Sequence, residues 1–595
     1  MQGLLRCRLY GKIILQSSLP ANGQKQMNPF VLQKENLDFQ LKEIAGLPLL
    51  LERQRFAHLD DQTIELILLQ AVRLAGEKLG PLAVSADAQG CSLDEQGVHL
   101  PSGTTEIWSD WCALGFPMLA VATEEDGMDL PLSVQCAVQE ICDAANMAFG
   151  MLAINQRCAM DALRSATLTD ASRTQLDQWL PRLGSGEITS TIAISEPQAG
   201  SDVGRILTAA IPRDDGSWIL NGSKIWISYG DHDATAQIIH LILARVPGGE
   251  SGTRGLGLFA VPKLLAEDSA QTNGITVLRL EEKMGLHASP TCVLDIKDAK
   301  GWLVGEPGKG LQALFVMMNG MRLAVSVQGA AIANAVSLHA LAYANERPQG
   351  GSHKQAPVMI NEHADVRRML LEMIAESELA RALSLRTARY LDLASTSSGH
   401  EAAQHLAVAE LLLPLAKTLG AETGFRVASL GIQVIGGYGY TRDYPLERMA
   451  RDIRVSAIYE GTSGIQALDF LRRKILKDDA ATLDLLISSM EVDLGSGKSP
   501  FASLFTELRQ IHASTLGKFS EGQADNEGAY AFMQLSGLLV HCWNGHVLFS
   551  RADRNKAAEA RIVAALQYFA GTLLQKARLW QQASLDRLPD CNFSI

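Results

Sequence analysis

Little in this 595-residue chain points to covalent or metal staples: its nine cysteines are odd in number, scattered, and contain no CxxC pair. The pattern excludes a disulfide framework and offers no zinc-ligand spacing, so no metal site is expected and a reducing compartment, the cytoplasm, fits. Positive charge is also short, with 53 Lys and Arg against 65 Asp and Glu and a formal net charge of −12. A general polyanion-binding surface is thereby excluded, and nucleic acid is not expected as a partner. Clean hydrophobic runs are missing too. The longest uncharged stretches, 323–345 and 528–550, reach bilayer-spanning length, but the first carries Ser326, Gln328, Asn334, Ser337 and His339, and the second Gln534, Ser536, His541, Asn544 and His546. Hydrocarbon would leave those groups unsatisfied, so both read as buried bundle helices and not as integral membrane segments.

What is present is a balanced globular composition: 47 % hydrophobic, 20 % charged, mean hydropathy +0.05. At about 150 residues per domain the length suggests about four units. Residues 1–26 hold Arg6, Arg8, Lys12 and Lys25 and no acid; they read as a disordered lead or an over-extended start before Met27. From Asp60 to Leu79 apolar residues recur at helical spacing, with Asp60 or Asp61 as cap and Gly80-Pro81 as the expected stop. Helical patterning returns at 132–165 and 171–183, so 27–188 is expected to be an N-terminal helical domain. The texture then changes. The run 217–228 sets Asn221-Gly222 between two β-rich pieces, a hairpin signal, and 238–246, 254–262, 275–280 and 292–296 read as further strands. A β domain is expected over 189–300, a helical bundle over 301–471, and an extra C-terminal helical domain over 472–595.

Three segments carry candidate chemistry. The loop Ile192–Asp202 follows a β-like stretch and could offer backbone N–H groups and hydroxyls to a flavin or phosphate; alone it could equally be a surface turn. Gln433–Tyr440 supplies three glycines that let backbone approach a ligand, but it lies between helices and is not a Rossmann fingerprint. Ile458–Ser463 sets Glu460 on an apolar strip before Gly461. A buried base of raised pKa and a structural carboxylate paired with Arg451 or Arg454 are both open on that pattern.

Taken together, AISEPQAGSD (193–202) and QVIGGYGYTRDYPLERMARDIRVSAIYEGTSGIQ (433–466) resemble the acyl-CoA dehydrogenase family of FAD enzymes. Further stretches at 145–150, 230–233, 281–295, 315–331 and 363–370 resemble a longer bacterial subgroup of that family, typified by enzymes of 3-(methylsulfanyl)propanoyl-CoA. The resemblance implies a mainly α fold with an N-terminal helical domain, a middle β-barrel and a four-helix bundle, extended here by the extra helical domain. It implies FAD as cofactor, an acyl-CoA substrate, an electron-transfer flavoprotein as acceptor, and at least a homodimer. By that resemblance Glu460 removes the α-proton while the β-hydrogen leaves as hydride to the flavin, and its backbone N–H helps hold the thioester oxygen. The family's other lineage carries its base at the position of Gly320, which has no side chain. The resemblance places Ile192, Ile194, Ser195, Trp226, Ser228 and Thr462 around the cofactor, with Arg347, Gln433, Gly436 and Gly437 reaching the FAD of a neighbouring subunit. Ser201, Asn319, Arg322 and Gly461 fall at substrate positions.

Some positions depart from the family pattern. The usual R-x-x-F begins at Arg347 but has Gly350 for the aromatic, the acidic residue three before the arginine is Asn319, and Gly464 stands where Glu or Gln is common. Thr123–Leu130 differs from the glycine-richer loop of relatives, so the resemblance implies α,β-dehydrogenation of a fatty acyl-CoA or of 3-(methylsulfanyl)propanoyl-CoA without choosing between them. An acyl-CoA oxidase would share these residues. A DNA-associated relative would carry a basic C-terminal groove, yet residues 472–595 hold 14 Lys and Arg against 13 Asp and Glu, with a local excess only at 551–578; a solvated helix face accounts for it.

Overall fold

A computed structural model describes residues 29–266, 271–350, 356–495 and 497–589; the expectation for residues 1–26 lies outside them. The chain groups into two compact units, neither a single stretch. One comprises Leu66–Leu130 and Ala145–Met321, the other the described residues up to Glu65 with Pro131–Ala144 and Arg322 onward.

The first unit is organised around strands β1 (Thr189–Ala193), β2 (Ala209–Pro212), β3 (Trp218–Ser228), β4 (Ile238–Arg245), β5 (Leu256–Pro262), β6 (Ile275–Leu280) and β7 (Thr291–Val304). Successive pairings β7–β3–β2–β4–β5–β7 close a five-stranded ring, the expected barrel, with β6 added beside β7 and β1 beside β4. Strand β4, IIHLILAR, is covered on both faces, which is why its apolar run hardly alternates. Its one polar interior residue, His240, is paired by Nδ1 with Thr191 Oγ1 at 2.7 Å. Leu220, Ile227, Ile242, Phe259, Leu294 and Leu303 fill the interior.

Two local expectations are corrected. Asn221-Gly222 makes no hairpin, because β3 runs straight through it. Asn221 instead faces a bulge in β7: it accepts from Asp298 N at 2.9 Å and donates to Asp298 Oδ1 at 3.1 Å. The β2–β3 reversal is made by Arg213–Ser217, with Gly216 at φ +79°. Nor does Gly80-Pro81 stop its helix. Asp60 caps the start by accepting from Thr63 N at 2.7 Å, as expected. The helix then passes through a π turn, Ala75–Leu79, and continues over Gly80–Gln89. Pro81 falls in the first turn after that register change, where its missing N–H is tolerated.

In the other unit the long helices are α1 (Gly310–Glu346, from Arg322 on), α2 (Ala364–Thr396) and α3 (Gly399–Ile435), followed by α4 (Leu446–Ile453), α5 (Ser463–Leu468) and α6 (Ala529–Arg551). The most apolar window of α1 is 94 % buried in protein. Three of the serines that spoke against a membrane span find partners here: Ser326 pairs with Ser384 at 2.7 Å, Ser337 with Ser377 at 2.9 Å, and Ser536 with His512 at 2.9 Å. Helix α6 is pinned to α2, where the Arg386 guanidinium lies 3.8 Å from the Trp543 ring centroid.

Candidate active site

In the barrel unit, the loop after β1 is held from below by a buried ion pair. Lys224 Nζ, fully covered, donates to Glu196 Oε1 at 2.8 Å, to the Ile194 carbonyl at 2.9 Å and to the Leu243 carbonyl at 2.7 Å. The same carboxylate accepts from Leu207 N at 2.7 Å and Thr208 N at 3.0 Å. Burial by itself would raise the Glu196 pKa, but Lys224 and these N–H donors outweigh it and hold it at about 2. Ile192, Ile194 and Ser195 are half-buried on this locked segment; Ser201 is exposed beyond it.

A bulge in β3 opposite Val293 accompanies an unusual residue, Trp226, at φ +63° with 58 % of its surface exposed. A bulky side chain in the left-handed region is strained, and such strain collects where a side chain must be aimed. On its N-terminal side, Ile225 N donates to the Ser195 carbonyl at 2.9 Å, so the loop and the Trp226 bulge are one piece. The Ser228 carbonyl accepts from Asn155 Nδ2 at 3.2 Å. Asn319 is half-buried on the early part of α1, and a Cβ on Gly320 would lie 3.2 Å from Cys158 Sγ.

In the helical unit, Glu460 and Gly461 form a turn between α4 and α5, with φ of +55° and +86°. The turn is tied on three sides. Lys417 Nζ donates to the Gly461 carbonyl at 2.7 Å, Gln466 Nε2 to the Glu460 carbonyl at 2.7 Å, and Ser463 Oγ to Glu422 Oε1 at 2.7 Å. Thr462 caps α5, accepting from Ile465 N at 3.4 Å. The φ of Gly461 favours glycine, and a Cβ there would lie 2.7 Å from Gln466 Nε2 and displace the amide that holds the Glu460 carbonyl.

The half-buried Glu460 carboxyl takes no hydrogen bond from any described residue. Loss of water raises its pKa; the charges of Lys417 and Arg322 oppose this without cancelling it. The structural-pair alternative is not what forms, since Arg451 binds Glu447 at 2.7 Å and Arg454 lies over Phe425. Arg322 is buried; its Nη1 donates to Asp469 Oδ2 at 2.8 Å, while its Nε has no partner among the described residues. Arg473 takes the other oxygen of Asp469 at 2.5 Å.

A third group lies at the end of α3. Arg347 stacks over Tyr438 at 5.8 Å from the ring centroid, and Gln433, Gly436 and Gly437 are exposed nearby in sequence. Gly436 needs glycine for its φ of +72°, but Gly437 has neither a positive φ nor any described atom within 4 Å of where a Cβ would stand.

Lys417, Asp469, Gln466, Glu422 and the Glu196–Lys224 pair were not anticipated from the sequence. Lys417 alone left a trace, as a single charge within the apolar run Leu411–Leu419.

The residues over 191–299 match the middle domain of acyl-CoA dehydrogenases, and those over 308–475 the C-terminal domain. The chain belongs to the acyl-CoA dehydrogenase family and is an FAD-dependent oxidoreductase. It is 36 % identical to 3-methylmercaptopropionyl-CoA dehydrogenase of Ruegeria pomeroyi, over 94 % of this chain and 97 % of that one. It is 33 % identical to a broad-specificity linear acyl-CoA dehydrogenase of Mycobacterium tuberculosis, over 83 % and 84 %. An acyl-CoA dehydrogenase from Bacillus anthracis solved with FAD shares the fold at a TM-score of 0.71 and 21 % identity, covering 89 % of each chain. An exposed, strained Trp226 and a Gly437 that no described residue requires both fit residues that face a flavin cofactor.

Proposed function

We propose that the chain dehydrogenates an acyl-CoA between Cα and Cβ, with Glu460 as the base, on a fatty acyl or 3-(methylsulfanyl)propanoyl thioester. The carrying observation is a carboxyl held in a left-handed turn, free of hydrogen bonds from described residues, and raised in proton affinity by burial. A thioester α-proton is weakly acidic, so its removal needs a base whose carboxylate is poorly solvated and a site that stabilises the enolate as it forms. The guanidinium of Arg322, whose Nε has no partner among the described residues, and the cation of Lys417 supply positive charge beside that carboxyl. The bound flavin supplies the hydride acceptor. Ser195, Trp226 and Thr462 are the contacts that the resemblance assigns to it. Arg347, Gln433, Gly436 and Gly437 serve the cofactor of a second subunit in a cytoplasmic homodimer. An electron-transfer flavoprotein then reoxidises the enzyme.

No observation favours the nucleic-acid reading, because the basic side chains of 551–578 are engaged within the chain. Lys556 binds Glu559 and Arg578 binds Glu507, while Arg561 donates to Gln33 and Arg554 lies over Phe549.

Anaerobic titration of the FAD enzyme with thioesters from 3-(methylsulfanyl)propanoyl and butanoyl to palmitoyl tests the proposal. One chain length should bleach the oxidised-flavin band, and Glu460→Gln should keep FAD and substrate binding while slowing bleaching by at least about three orders of magnitude. Wild-type bleaching by that variant would remove Glu460 from its role.

A further inference from the structure

The segment beyond the family's C-terminal domain match, which ends at residue 475, reaches back to the Glu460 turn through one carboxylate. Glu422 on α3 accepts from Ser463 Oγ at 2.7 Å through Oε1. Ser463 is three residues after Glu460 and opens α5. The other oxygen, Oε2, accepts from Tyr530 Oη and from Gln534 Nε2, both at 2.9 Å. Tyr530 and Gln534 are one turn apart on α6 and so present both donors to the same atom. All four side chains are half-buried.

The arrangement has a directional logic. A half-buried carboxylate is free to swing toward any cation in reach, and Glu422 has two in its electrostatic surroundings: Lys417 and Arg426. Two donors from α6 fix one oxygen, which leaves the other aimed at Ser463. Lys417, also on α3, holds the Gly461 carbonyl. The left-handed pair Glu460-Gly461 is thus gripped between two α3 side chains, and one of these takes its orientation from α6. Strained backbone persists only where its surroundings over-determine it.

We propose that Tyr530 and Gln534 are positioning residues for Glu460, acting through Glu422 and Ser463, so that the extra C-terminal domain is part of the apparatus that aims the base. The inference rests on Glu460 being that base. A misplacement of about 1 Å at a reacting group can cost about 100-fold in rate, and loosening one anchor of three should cost less, about 5- to 30-fold.

The test is the rate of flavin bleaching at saturating acyl-CoA in the full-length FAD enzyme. Ser463→Ala and Tyr530→Phe should each slow it about 5- to 30-fold with FAD content and acyl-CoA Kd unchanged, and with an undiminished α-deuterium isotope effect. Because both act on one carboxylate, the double variant should be no slower than the slower single, and Ser463→Thr should recover the wild-type rate within about twofold. Wild-type rates in either single variant overturn the proposal, as do losses that multiply in the double, or a raised Kd at unchanged rate. If Tyr530→Phe yields no folded enzyme, Gln534→Leu removes the second donor to the same oxygen and is judged by the same criteria. Glu460→Gln run alongside separates the failures: rapid bleaching there removes the base assignment itself, whereas an inert Glu460→Gln with fast Ser463→Ala and Tyr530→Phe removes only the positioning role.

Discussion

The ammonium of Lys417 lies 2.7 Å from the carbonyl oxygen of Gly461, the residue that follows Glu460. It therefore does two things at once: it holds the backbone of the turn, and it places a cation beside the carboxyl. Burial lowers the Lys417 pKa to about 8, with Glu460 and Glu422 opposing and Arg322 reinforcing that shift, so near neutral pH it is largely protonated.

That pairing sets the pH dependence. A carboxyl in the base role proposed for Glu460 must be ionised to work, so kcat/KM should rise with pH through the Glu460 pKa, which burial holds above the ordinary carboxylate value. Removing a nearby cation disfavours the carboxylate further. Lys417→Met should accordingly move the acid limb of the profile to higher pH, by roughly one unit, and lower the plateau as the turn loosens. A pH series of kcat/KM measures both, and an acid limb left in place would mean that Lys417 holds backbone only.

What could be read in the sequence was local. Glu460, Gly461, Ser195, Trp226 and the glycine loop sit in short motifs, and the strand and helix texture follows hydrophobic periodicity that one stretch of chain carries by itself. The partners that make those residues work come from far along the chain: Lys417 is 44 residues from Gly461, and Tyr530 is 108 from Glu422. No periodicity encodes such pairs. The two local errors have different origins. Asn221-Gly222 has hairpin chemistry, but its carboxamide is claimed by Asp298, 77 residues away, and Gly222 is pressed against Thr208. Gly80-Pro81 has the chemistry of a stop, yet the π turn before it shifts the hydrogen-bond register.

The Glu196–Lys224 pair predicts a stability pattern. Both side chains are almost wholly covered, so removing one leaves an uncompensated buried charge, a loss of about 3–5 kcal/mol. Glu196→Gln and Lys224→Met should each destabilise by that order in chemical denaturation and shed FAD as the Ser195 loop loosens. The double variant should be more stable than Lys224→Met alone, since it removes both charges. The native Glu196 pKa of about 2 lies below the unfolded value of about 4.3, so its contribution is complete above pH ~4.3 and is lost as pH falls toward 2. The wild type should lose that increment on acidification over this window, and Glu196→Gln should lack it.

Gly437 separates fold from assembly. Its backbone is not left-handed and no described atom lies within 4 Å of where a Cβ would stand, so a methyl group meets open space within one chain. If the chain alone governed this position, Gly437→Ala would be neutral, or stabilising by about 0.4–1 kcal/mol through a less flexible unfolded state. Gly436 beside it needs glycine for its φ of +72° and would be destabilised by the same change. The proposed contact with the cofactor of a second subunit demands something else of Gly437. Flavin-depleted Gly437→Ala should then match or exceed wild-type stability in denaturant, while the reconstituted variant binds FAD at least about tenfold more weakly, a loss of about 1.4 kcal/mol. Tight FAD binding by a dimeric Gly437→Ala enzyme would place the neighbour's cofactor elsewhere on the surface.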